Sequence, residues 1–111
     1  MRALGHRLTI EFNLGDPDNY RVPDLGIHAT SVTELYVPTA LGVIEVLSPD
    51  DKTFEKFSFY ADRGVGEVVV VDPIDRTVQC WRLDAGRYAQ VEEIRSAGVT
   101  DSELGRRIDW P

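Results

Sequence analysis

VIEVLSP at 43–49 and GEVVVVD at 66–72, separated by one helical stretch, decide the fold. The run Val43-Ile44-Glu45-Val46-Leu47 is apolar on both faces of a strand except at Glu45, and the middle of 66–72 is apolar throughout. Strands of this kind are covered on both sides and sit inside a sheet. The first is read over about 39–48. Ser48-Pro49-Asp50-Asp51 then introduces a helix expected over about 51–63. Phe54, Phe57 and Ala61 recur there at helical spacing, Tyr60 flanks them, and Gly64 is the stop signal.

On the N-terminal side, strands are expected over 6–13 and 21–29, separated by the turn cluster GDPDN at 15–19. On the C-terminal side, strands near 77–83 and 87–94 are joined through Asp84-Ala85-Gly86 as a hairpin. The tail from Ser96 reads as loop, with a short strand at 107–110. The sum is an α+β domain around a mixed sheet with one main helix. A single helix of about thirteen residues, roughly 20 Å long, covers only part of one sheet face. A homodimer or a partner protein is therefore expected to cover the other.

Composition narrows the function classes. The chain has 111 residues, 42% hydrophobic and 28% charged, without linker, repeat or low-complexity tract, so residues 1–111 are read as one folded domain. No apolar run approaches the roughly 18 to 20 residues that span a bilayer, so no membrane association is expected. MRALGHRLTIEF, the first twelve residues, lacks the apolar core of a signal peptide. The single cysteine, Cys80, excludes an internal disulfide framework, and a cytoplasmic location is expected. A net charge of −7 argues against non-specific nucleic-acid binding through a basic surface. It leaves room for a local basic or metal-filled cleft, because net charge describes the far field.

Glu45 is the informative oddity. An ionised carboxylate inside an apolar strand is costly unless it is paired or bound to metal. A salt bridge to an arginine or a position on a strand edge is the plainer alternative. Asp24 repeats the pattern on the preceding expected strand, where Val22, Asp24, Gly26 and His28 share one face. Lys56 falls in the second turn of the expected helix. Helical side chains lean toward the N-terminus, so it can reach back to the carboxyl end of the Glu45 strand. Lys52 lies one turn earlier, and these two are the only lysines among twelve basic residues. Two solvated lysines on a polar helix face are the competing reading.

Two carboxylates and a lysine at a sheet edge suit phosphodiester hydrolysis. The carboxylates hold a divalent cation that polarises the phosphate and activates water, and the lysine orients that water or offsets charge on the phosphoryl oxygens. An oxygen-only ligand set favours Mg²⁺ or Mn²⁺ over zinc. His28 lines the same cleft if the strand alternation holds, and Tyr60 packs beside it. His6, His28 and Cys80 lack metal-ligand spacing. No nucleophile elbow, P-loop or dinucleotide-binding glycine pattern is present.

VPDLGI (22–27), VIEVLSP (43–49), EKFSFYADRGVGEVVVVDP (55–73) and the hairpin after them resemble the Uma-two-type endonuclease family of the restriction-endonuclease-like PD-(D/E)xK superfamily. The resemblance runs from about residue 20 to the C-terminus. It implies Asp24 as the metal-binding aspartate, Glu45 as its acidic partner and Lys56 as the lysine. The superfamily usually places its lysine two residues after the glutamate, where Leu47 stands here; the Uma-two-type pattern moves it to the following helix. Members of the family carry a helix and a hairpin before the first matching strand, so this chain is expected to be an N-terminally short form. The function implied is metal-dependent cleavage of DNA or RNA. The alternative is a non-catalytic relative of the same fold acting through protein interaction.

Overall fold

The computed structural model describes residues 7–10, 12–29, 32, 34–48 and 53–110. Its strands are β1 (Arg7–Ile10), β2 (Asn13–Asp16), β3 (Asn19–Arg21), β4 (Leu25–His28), β5 (Tyr36–Val37), β6 (Gly42–Val46), β7 (Glu67–Asp72), β8 (Thr77–Asp84), β9 (Arg87–Val91), β10 (Glu93–Ile94) and β11 (Val99–Thr100). A 3-10 turn (Thr53–Lys56) leads into helix α1 (Phe57–Asp62), and helix α2 (Asp101–Arg107) follows β11.

The two apolar runs pair in parallel at the centre of a six-stranded sheet ordered β1-β4-β6-β7-β8-β9, with every other neighbour antiparallel. The sheet is mixed and the architecture α+β. Side chains alternate between two cores. Val43, Val68 and Val70 pack with Phe59, Tyr60, Val65, Phe12 and Leu14 on the α1 face. Ile27, Ile44, Val69, Val71 and Cys80 pack with Ile94 and Ala97 on the other.

Helix α1 is shorter than the expected 51–63, and residues 51 and 52 lie outside the described ones. Its end is sharply set. Val65 N–H donates to the Tyr60 carbonyl at 3.1 Å and Gly64 N–H to that of Ala61 at 3.0 Å, with Gly64 at φ 72°. This is a Schellman stop, in which glycine takes the left-handed position without steric cost.

Three local readings differ from expectation. The strand expected over 6–13 divides: β1 joins the large sheet, while β2 pairs with β3 and β5 in a small one. The Asp16 carboxylate accepts from the N–H groups of Asp18 and Asn19, both at 2.9 Å, and closes the β2–β3 turn. The strand expected over 21–29 begins only at Leu25, because Pro23 has no N–H to pair and the Asp24 side chain replaces a ladder bond. The tail read as loop contains α2, started by Thr100 as its N-cap. Thr100 Oγ1 accepts from Glu103 N–H at 3.1 Å and lies 3.2 Å from Glu103 Oε1. Leu104, Ile108 and Trp110 lie against the second core. The sheet face that sequence alone left bare is therefore covered from within the chain.

Candidate active site

Glu45 is the penultimate residue of β6, on the α1 face. Its alternation with Val43 sends the carboxylate into the first core, and only 2% of the residue is exposed. Tyr60, in the first turn of α1, donates its hydroxyl to Glu45 Oε1. Lys56, whose side chain is 29% exposed, sets its ammonium 3.4 Å from Glu45 Oε2. Asp24 stands at the start of β4. Leu25 pairs with Ile44, so one step further in this antiparallel register Asp24 stands across from Glu45. Asp24 Oδ2 accepts from Val46 N–H at 2.7 Å, which fixes this exposed carboxylate against the neighbouring strand.

The electrostatics set Glu45 apart. Burial pushes its pKa up, the Tyr60 hydrogen bond and the Lys56 charge oppose that, and the Asp24 carboxylate adds to the rise; the net result is a raised value. Burial and the same Glu45 contact drive the Tyr60 hydroxyl far upward, so it stays a donor. The site thus joins one buried and one exposed carboxylate, an ammonium and a permanently protonated phenol.

Asp24, Glu45, Lys56 and Tyr60 are brought together. His28 is not. It shares the sheet face but lies four residues beyond Asp24, with its ring edge-to-face on Phe12 at 4.9 Å and its buried Nε2 without a partner among the described residues. It borders a separate depression with Val32, Val37 and Pro38. Burial lowers its pKa, so the imidazole is neutral. Lys52 lies outside the described residues.

Sequence reasoning passed over Arg21 and Glu67. The Arg21 guanidinium lies 4.8 Å over the Phe59 ring, and its charge is felt at Tyr60. Its place three residues before Asp24 was the available signal. Glu67, on β7, is a second buried carboxylate, facing the opposite core. It borders a cavity of about 380 Å³ with Leu41, Arg82, Leu83 and Arg95.

Among the described residues, no group of three or more His, Cys, Asp or Glu converges as a metal site. Asp24 and Glu45 face each other across the β4–β6 pair, close enough for the Asp24 charge to act on Glu45. That donor set fits Mg²⁺ or Mn²⁺, since Mg²⁺ is commonly held by one or two carboxylates while keeping several waters. No helix among the described residues is long and apolar enough to cross a membrane.

The Uma2 family model, described as "Putative restriction endonuclease", matches residues 2–106. Among solved structures, a "putative nuclease belonging to DUF820 from Anabaena variabilis" is similar, with a TM-score of 0.68 and 18% identity, over 91% of this chain and 68% of its own. At that identity the likeness speaks for the fold. No curated protein matches the chain.

Proposed function

The chain belongs to the Uma2 family of restriction-endonuclease-like proteins, and on that premise we propose that it is a divalent-metal-dependent nuclease hydrolysing phosphodiester bonds of DNA or RNA. Asp24 and Glu45 would hold Mg²⁺ or Mn²⁺, which when bound polarises a phosphate oxygen and makes water a better nucleophile near neutral pH. The observation that carries the reading is the buried Glu45 carboxylate, met by Lys56 and Tyr60 and facing Asp24 across the strand pair.

The remaining chemistry belongs to the chain itself. Val46 N–H locks one oxygen of the exposed Asp24 carboxylate and leaves the other for a ligand. The Tyr60 hydroxyl fixes one oxygen of Glu45, so the carboxylate cannot rotate away from the cleft. The Lys56 ammonium, partly exposed and within reach of Glu45, orients the attacking water or offsets charge that builds on the phosphoryl oxygens. These roles test together. Mg²⁺ and Mn²⁺ are titrated into wild type and Asp24→Ala, and cleavage of mixed single- and double-stranded nucleic acids is followed. Wild type cuts only with metal and Asp24→Ala does not cut; metal-independent cutting, or equal cutting by both proteins, overturns the assignment.

A further inference from the structure

Phe54 is a large aromatic side chain held half in water, 51% exposed. It comes from the same 3-10 turn as Lys56. Its ring centroid lies 5.1 Å from Phe57 and 6.0 Å from Trp81, and Phe57 extends the row to Trp81 at 5.6 Å and Tyr88 at 5.2 Å. Other rings therefore support Phe54 on one side, and the rest of it meets solvent.

The sheet register sets this row beside the carboxylates. Glu45 pairs with Val70 and Val70 with Gln79, so Gln79 lies two strands from Glu45 on the same face, on the order of 10 Å away. Trp81 is the next residue of β8 on that face, and its Nε1–H donates to Gln79 Oε1 at 3.3 Å. An indole N–H can only donate, so this contact fixes which end of the Gln79 amide faces the ring. The Gln79 amide nitrogen keeps its hydrogens for another acceptor; it has no partner among the described residues and is not sealed from solvent.

We propose that Phe54 and Gln79 form a docking surface for an unpaired nucleobase of the strand whose phosphodiester lies at Asp24, Glu45 and Lys56. The inference rests on the nuclease reading and names its substrate class: nucleic acid with at least one unstacked base beside the cut. An aromatic face accepts any base by stacking, without needing positive charge. That matters in a chain of net charge −7, which cannot hold a polyanion by its far field. A base inside a duplex does not offer its face unless it is flipped out. Trp81 Nε1–H takes one lone pair of the Gln79 oxygen and holds that end of the amide against the indole, so the end left for a base is the N–H donor. A donor suits the carbonyl edge of thymine or uracil, and an oxygen held against the indole disfavours the two-bond pairing that glutamine makes with adenine.

Fluorescence anisotropy with twelve-nucleotide oligo-dT, oligo-dA and a duplex of equal length tests this, in calcium and without magnesium. Wild type should bind oligo-dT several-fold more tightly than the other two. Phe54→Leu keeps apolar packing but removes the ring, and should weaken oligo-dT binding about tenfold, with a much smaller change for duplex. Gln79→Leu should erase the oligo-dT over oligo-dA preference while leaving the rings in place. Equal oligo-dT affinity in wild type and a folded Phe54→Leu overturns the proposal. So does a preference for duplex, or a Phe54-dependent dimer in light scattering, which would make a second copy the occupant. If Phe54→Leu does not fold, an unchanged oligo-dT to oligo-dA ratio in Gln79→Leu overturns it instead. Cutting by wild type without strand preference sinks this inference and spares the nuclease reading; strand preference without cutting does the reverse.

Discussion

Glu45 and Glu67 sit on neighbouring parallel strands, both in apolar surroundings and both nearly inaccessible, at 2% and 4% exposure. Their partners differ in kind. Glu67 receives backbone N–H groups from Arg95 and Ser96, each at 2.8 Å, and the Arg82 guanidinium at 3.2 Å. Burial alone would raise its pKa, but the Ser96 side chain, these backbone N–H groups and Arg82 together outweigh burial and hold it below the usual carboxylate range. Among the described residues Glu45 is met by two side chains, Tyr60 and Lys56, and it stands opposite another carboxylate, so burial prevails and its pKa is raised. Fixed backbone amides make Glu67 a structural tie between β7 and the 93–96 segment. Glu45 lacks that fixed compensation and gains most from an added cation. The same residue type, buried to a similar degree, is held by backbone amides at one position and, on the proposed reading, is available for chemistry at the other.

Substitution should separate the two most strongly through stability. Glu67→Ala leaves two backbone donors and the Arg82 guanidinium without their buried partner and should cost about 3–5 kcal/mol, read from urea unfolding. A loss below about 1 kcal/mol would show that the Glu67 contacts do not hold this edge together.

Catalysis should show the opposite pattern. On the proposed reading Lys56→Ala removes the cation that offsets developing charge, and it should lower cleavage by about 100- to 1,000-fold, with metal binding largely kept. Equal rates in wild type and variant would transfer the role to Lys52 or remove it.

The pH dependence sharpens the contrast at smaller amplitude. The folded pKa of Glu45 lies above its unfolded value, so the folded state binds more protons in that window. Metal-free stability should therefore fall as pH rises from the ordinary glutamate value through the raised one. Glu67 has a depressed folded pKa, so its contribution is present above the ordinary value and lost as pH falls through the depressed one. Unfolding curves of Glu45→Gln should lose the first dependence and keep the second. Glu67→Gln should do the reverse, and identical profiles in the two variants would erase the distinction.

Much of this was legible in the sequence. The paired apolar runs at 43–47 and 66–72 announced central strands, Gly64 announced the helix stop, and a carboxylate inside VIEVL marked Glu45. Glu67 escaped because its donors, Arg95 and Ser96, lie 28 and 29 residues further along the chain. Isolation among valines looks the same in sequence whether or not a distant loop supplies hydrogen bonds. The helix after β11 was missed although Thr100-Asp101-Ser102-Glu103 is a capping-box pattern. Its apolar positions, Leu104 and Ile108, are too few to establish a period without the core they pack on. His28 showed the limit of strand alternation, which predicts a face and not a position along it.

Asp24 and Glu45 are proposed to form a cation site, and Glu67 is not. Electron paramagnetic resonance of free Mn²⁺ during titration measures this directly on wild type, Asp24→Asn and Glu67→Gln, each checked for folding. Wild type and Glu67→Gln should remove one Mn²⁺ per chain from the free signal, more tightly as pH rises and Glu45 loses its proton, and Asp24→Asn should remove none at the same concentrations. Undiminished binding by Asp24→Asn, or its loss in folded Glu67→Gln alone, would contradict the account.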